Sequence, residues 1–212
     1  MVIRAVLFLA ILGCIQCKIL NLSCQQIRSF VDGHNNRRQQ LANGKVPGQP
    51  AASVMKYMIW DKELAAKAAK WASVYRQQHN PDRSVGSGRW RSTGENLYWY
   101  STSDHSYKLN PDSALKAWFD EFRDFLYGPI MRSHFSSSTQ IGHYTQMAWA
   151  DTTHVGCAIS QWSNDGWNKY MVVCNYGPAG NMLGSPPYKS GRAAGYLVCG
   201  TGDCSRPYGD SC

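Results

Sequence analysis

Long hydrophobic runs are scarce in this chain. Beyond the short run at residues 5–12, no stretch approaches the roughly 20 apolar residues that a membrane-spanning helix needs, so no transmembrane segment is expected. Acidic residues are also few, with 14 Asp and Glu against 22 Lys and Arg and a formal charge of +8. The basic excess is nevertheless dispersed, and Arg37-Arg38 is its one doublet. Nothing resembles a nucleic-acid recognition motif, so nucleic acid is excluded as an expected partner. What remains is a soluble basic protein with weak attraction to anionic membrane surfaces. Internal repeats are absent. Cys-x-x-Cys is absent too, and no cysteine has a histidine at ligand spacing, which argues against a structural zinc site.

The short run has a meaning of its own. Arg4 precedes the apolar residues 5–12, and Gly13, Cys14, Ile15, Gln16 and Cys17 follow. A charged start, a short apolar core and small residues near the end describe a secretory leader, expected over residues 1–17. Its removal leaves 195 residues, one domain with a real core, and a formal charge of +7. It also leaves six cysteines: Cys24, Cys157, Cys174, Cys199, Cys204 and Cys212. An even count in an oxidising compartment reads as three disulfides, and the location as extracellular. Asn21-Leu22-Ser23 is a glycosylation sequon, so Asn21 is a candidate sugar acceptor.

Three helices are expected. Over residues 25–41, Ile27, Phe30, Val31 and Leu41 share one face with His34, and Asn43-Gly44 ends the helix. His34 on that face reads as a packing residue. Asp61 can cap a second, alanine-rich helix over residues 63–78, whose stripe is Leu64, Ala68, Trp71, Ala72 and Tyr75, with His79 continuing it. A polar surface loop over residues 80–93 follows. Asn110-Pro111-Asp112 opens a third helix with a buried arc of Ala114, Leu115, Trp118, Phe119, Phe122 and Phe125, stopped by Gly128-Pro129. Glu121 falls at the edge of that arc, where a carboxylate needs a partner.

Residues 155–160 and 170–174 are short and β-branched, and Asn164-Asp165-Gly166 between them is a turn signal. They read as a β-hairpin that brings Cys157 opposite Cys174 within bridging range. Three pairings then stay open among Cys24, Cys199, Cys204 and Cys212. The glycine-rich tail, residues 191–212, is expected to be held by those cysteines.

Five motifs in order carry a resemblance: His34-Asn35 with Arg37-Arg38, Ile59-Trp60-Asp61 leading into Leu64-Ala65, Gly94-Glu95-Asn96-Leu97, Gly142-His143-Tyr144-Thr145-Gln146-Met147-Ala148-Trp149, and Val172-Val173-Cys174-Asn175-Tyr176-Gly177-Pro178-Ala179-Gly180-Asn181. The chain resembles the CAP superfamily of cysteine-rich secretory proteins, antigen-five venom allergens and plant pathogenesis-related proteins. The resemblance covers residues 27–189. It implies an α+β fold, a three-layer α-β-α sandwich around a central antiparallel sheet, with a CAP domain over residues 18–190 and a short tail. The cysteine-dense C-terminal module of vertebrate relatives is missing, and the N-terminal cysteine cluster of antigen-five proteins is reduced to Cys24. The chain therefore looks like an invertebrate, venom-allergen-like member.

The resemblance also implies a cleft holding His79, Glu95, Glu121 and His143. Two imidazoles and two carboxylates suit a divalent cation such as zinc, although no cofactor is required. The same four residues also read as a polar network in which each Glu satisfies a His. Relatives are implied to bind sterol near the loop over residues 128–141, or fatty acid between helices, which makes Trp118, Phe119, Phe122, Phe125 and Tyr127 candidate ligand contacts, read against the alternative that they are core. The expected activity is non-enzymatic binding of a small lipid or of a host or target protein. The alternative is a metal-dependent or Glu/His-assisted hydrolase, for which none of Ser101, Ser103, Ser136, Ser137 and Ser138 stands out as nucleophile. His105, His134 and His154 are given no role.

Overall fold

The computed structural model describes residues 18–136 and 138–212. The expected leader, with Cys14 and Cys17, lies outside the described residues.

Local chemistry sets the helix starts. Helix α1 spans Cys24–Ala42, and the Ser23 hydroxyl accepts from the Gln26 N–H while the Gln26 side chain accepts from Ser23 N–H, a capping box. Helix α2 spans Lys62–Ala72, with Asp61 accepting from Leu64 N–H at 2.8 Å. It stops well short of the expected 78, because Tyr75 turns left-handed (φ 56°) and packs its ring, tilted, against Trp162 at 4.5 Å. The Trp71 indole then donates to the Gln78 carbonyl and folds the chain back. Neither Tyr75 nor His79 therefore extends the α2 stripe. Helix α3 spans Pro111–Asp120 and tightens into a 3-10 turn at Glu121–Arg123, so Phe122 and Phe125 lie beyond it rather than on its arc. Helix α4 is the short Gly142–Met147.

The sheet is built on a hairpin of β4 (His154–Asn164) and β5 (Trp167–Gly177). Its two-residue turn takes Asp165 and Gly166 both to positive φ (51° and 78°), the geometry that matches strand twist and that Asp-Gly accepts. Cys157 faces Cys174 across the strands and is bonded to it, as expected. Strand β1 (Lys18–Ile19) adds to β4, and β3 (Gly94–Thr102) adds to β5, both antiparallel. One departure from a purely antiparallel sheet is β2 (Ile59–Trp60), which pairs with β4 in parallel.

Alternation along the strands makes three layers. Val155, Cys157, Ile159, Val172, Cys174 and Tyr176 face the core shared with α1, α3 and α4. Ala158, Met171, Val173 and Leu97 face α2 through Ala68, Trp71 and Ala72. Gly156 permits that second contact: a Cβ there would lie 2.2 Å from the Ala65 nitrogen. Among the described residues, no helix is long and apolar enough to cross a membrane.

The tail is held differently from the expectation. Val198 N–H donates to Met55 O, Tyr57 N–H to Val198 O and Trp60 N–H to Pro207 O, at 2.7–2.8 Å. These backbone bonds strap it to the segment before α2. Of the four cysteines left open, Cys199 and Cys204 are bonded, closing a local loop. Cys24 and Cys212 carry thiols, so there are two bridges among the described residues where three were expected.

Candidate functional site

Two histidine–glutamate pairs line one cleft. In the first pair, Glu95 lies on β3 opposite Asn175 of β5, with its carboxylate fully buried. Its Oε1 accepts from the His79 ring at Nδ1 (2.8 Å) and from the Asn80 N–H (2.9 Å), and the Asn175 amide donates to its Oε2. The carboxylate is thereby satisfied from three sides. The His79 side chain is half exposed and borders the cleft, so it is not on a buried stripe.

The second pair is built on helix chemistry. The amino end of α4 has no side-chain cap of its own. Glu121, at the end of α3, supplies one from outside: its Oε2 accepts from the N–H groups of His143 and Tyr144, both at 3.0 Å. A carboxylate at a helix amino end is favoured by the orphan donors and the dipole there. Its other oxygen accepts from His143 Nδ1 at 2.6 Å. Trp118 stacks on the His143 ring with centroids 6.0 Å apart, and the Asn96 amide donates to the His143 carbonyl. The partner that Glu121 needed at the rim of its aromatic arc is thus the start of α4.

The two pairs share a design. Each imidazole gives Nδ1–H to a carboxylate, an arrangement that, in the neutral ring, places the lone pair on Nε2. The four side chains do not form a four-ligand cage, because the glutamates are already engaged. Among the described residues, no three His, Cys, Asp or Glu side chains converge on a metal position. The donor set that remains is two imidazole Nε2 atoms, each oriented by a carboxylate.

The cleft encloses about 430 Å³, and Leu97, Trp99, Phe135 and Ile141 give it an apolar wall beside the two pairs. That volume falls within the range of small-molecule sites. The aromatic residues expected to contact ligand do not line it. Trp118, Phe119 and Phe125 are buried in the main core, with Phe122 and Tyr127 packed against it. Phe119, Phe122 and Phe125 surround the Tyr144 ring, and Tyr127 packs on Tyr188. Their helical spacing served packing, and the apolar wall comes instead from β3 and the segment before α4.

Asn96, Asn175, Gln146 and Asn181 had been given no role by themselves. Each holds a cleft element in place: the Gln146 side-chain Oε1 accepts from Gly180 N–H, and the Asn181 amide donates to the Gly142 backbone carbonyl. Gly94 must lack a side chain, since a Cβ there would meet the Gln146 amide at 2.0 Å. All four lie inside the recognised motifs, and the signal was a polar side chain amid apolar neighbours.

Comparison with known proteins agrees with this geometry. Residues 31–176 match CAP, the cysteine-rich secretory protein family. Venom allergen 5.02 of Vespa crabro is 37% identical over 177 residues, covering 81% of this chain and 84% of its own. Scoloptoxin SSD976 of Scolopendra dehaani is 35% identical over 183 residues, covering 86% and 82%. The crystal structure of NaASP2 with Zn2+ shares the fold at a TM-score of 0.67 and 29% identity, covering 84% of this chain and 97% of that one.

Proposed function

Because the chain belongs to the CAP family of cysteine-rich secretory proteins and is venom-allergen-like within it, we propose that it works outside the cell as a non-enzymatic binding protein whose cleft takes a small lipid, a sterol or a fatty acid. The observation that carries this reading is the pairing of an apolar wall, Leu97, Trp99, Phe135 and Ile141, with two imidazoles that can accept a hydrogen bond at Nε2. A ligand with an apolar body and one hydroxyl or protonated carboxyl matches both halves. The leader expected from the sequence and the two disulfides support an oxidising, extracellular setting.

A hydrolase remains the second reading, favoured by the same His–Glu pairs. Among the described residues that line the cleft there is neither serine nor cysteine. Ser101, Ser103, Ser136 and Ser138 are not among those residues, and Thr139 is the one hydroxyl side chain that is. A host or target protein is a third partner class, supported by the exposed Met131, Phe135, Met182 and Leu183 near the cleft mouth.

A divalent cation such as zinc fits the donor set. His79 and His143 would hold it through Nε2, with Glu95 and Glu121 orienting the rings, and solvent would complete the shell. Such an ion would supply Lewis acidity when bound. Orienting the rings through Nδ1 is the work of this chain's own carboxylates.

Fluorescent sterol and fatty-acid titrations test the proposal. Saturable binding is expected, weakened about tenfold or more by Phe135→Asp in the apolar wall and by a smaller factor by alanine at both His79 and His143, which removes the acceptors for the ligand's polar end. Cleavage of peptides or esters by the purified protein, lost in the double-alanine variant, would overturn it in favour of the hydrolase. Capture of a protein partner without any lipid uptake would overturn it in favour of the third class.

A further inference from the structure

The two thiols left over are not scattered. Cys24 is the first residue of α1, directly after the Ser23 cap, and Cys212 is the last residue of the tail. The Cys212 thiol reaches the Cys24 carbonyl oxygen at 3.5 Å. The other four described cysteines are already bonded in pairs. We propose that Cys24 and Cys212 form a third disulfide that clasps the C-terminus to the start of α1.

Four contacts bring the tail to that place before any bond forms. The Tyr208 hydroxyl donates to the Asp32 carboxylate at 2.9 and 3.2 Å, and the Arg28 guanidinium lies over the Tyr208 ring at 5.1 Å. Trp60 N–H donates to Pro207 O at 2.7 Å. Asp210 adds an ion pair with Lys62 at 3.7 Å. These contacts fix residues 207–210 against α1 and β2, so only the last two residues need to adjust. Both thiols are exposed, which lets an oxidant reach them. Desolvation, and then the neighbouring Cys24 thiol, raise the Cys212 thiol above its ordinary value, as expected for two sulfurs in close company.

The chemistry balances with an oxidised low-molecular-weight disulfide such as glutathione disulfide. The Cys24 thiolate attacks one of its sulfurs and releases glutathione thiolate. The Cys212 thiolate then attacks the mixed disulfide at the Cys24 sulfur and releases a second glutathione. Two protein thiols are oxidised, one glutathione disulfide is reduced, and both thiol protons end on the departing glutathiones.

The bond would close a ring around almost the whole domain, and a link between distant residues restricts the unfolded chain most. Its exposure makes it open to reduction before the buried Cys157–Cys174 bridge.

The secreted full-length protein tests this. Non-reducing peptide mapping is expected to recover a peptide joining Cys24 to Cys212, and N-ethylmaleimide is expected to add nothing before reduction. Graded reduction should open this link before Cys157–Cys174. Cys24→Ser and Cys212→Ser should each expose one alkylatable thiol, keep the native circular dichroism spectrum, and speed protease cleavage within residues 191–212 about tenfold. Two maleimide adducts on the untreated protein would overturn the proposal, as would a Cys24 bonded to Cys199 or Cys204, or a dimer linked through either residue.

Discussion

His34 and His143 look alike at first: each lies beside an aromatic ring, Tyr176 at 5.5 Å and Trp118 at 6.0 Å, and each gives Nδ1–H to an oxygen. The difference is at the other nitrogen. His34 Nε2 accepts from the buried Tyr176 hydroxyl at 2.9 Å, so the ring is fully satisfied inside the core. His143 and its counterpart His79 keep Nε2 toward a cleft. The neighbours of His34 complete the contrast. Asn35 exchanges two hydrogen bonds with the Met58 backbone, and Arg38, with no exposed surface, spreads its guanidinium over the carbonyls of Lys56, Met147, Trp149, Ala150 and Thr152. One polar cluster locks α1 to the two segments that frame the site. The other leaves an atom unspent, and that atom is what gives it chemistry.

Breaking the locked cluster should have the largest effect. Arg38→Ala leaves five carbonyls without their shared donor, and a loss of about 3–5 kcal/mol is expected in urea unfolding. Arg38→Lys should recover little, since an ammonium cannot span the same fork. Stability within about 1 kcal/mol of the parent would erase the distinction between the two clusters.

Acid should reveal His34 next. Burial lowers its pKa to about 3, against an ordinary 6.5. The unfolded chain then binds a proton that the folded chain refuses, so this stability is complete above pH 6.5 and falls as pH drops from there toward 3. The slope is on the order of 1.4 kcal/mol per pH unit. Chemical denaturation at pH 7, 5.5 and 4.5 measures it, and His34→Gln should flatten the slope whatever it does to stability at pH 7.

Glu121→Gln sharpens the comparison from the cleft side. It weakens the outside cap of α4, for which a loss of about 1 kcal/mol is expected, and it loosens the His143 ring. If zinc binds, its affinity by calorimetry should drop about 10–100-fold, while lipid titrations stay unchanged. The smallest effects concern the α1 start. Ser23→Ala removes the cap and the sequon together, costing about 1 kcal/mol. Asn21→Gln removes only the exposed acceptor and should shift stability by less than about 0.5 kcal/mol. Glycosidase-sensitive mass on the secreted protein should vanish in both.

What could be read from residues alone follows the range of the interaction. The α1 helix, the Asp-Gly turn and the Cys157–Cys174 bridge were all legible, because each is decided along one helix face or across a two-residue hairpin. The end of α2 was not. Alanine-rich sequence favours continuing, and only Trp162, on a distant strand, draws Tyr75 out of the helix. The aromatic arc after Leu115 left core and ligand contact as alternatives for the same reason, since helical spacing alone does not distinguish a core from a pocket wall.

The site divides the same way. The motif resemblance named His79, Glu95, Glu121 and His143, and composition with cysteine parity pointed to a disulfide-bonded extracellular domain. The tertiary structure decided what those four residues are to each other. Glu95 is spent on a strand-to-loop contact and Glu121 on the open end of α4, because buried carboxylates must be satisfied by whatever donors the fold brings near. Two imidazole nitrogens beside an apolar wall are what those demands leave over.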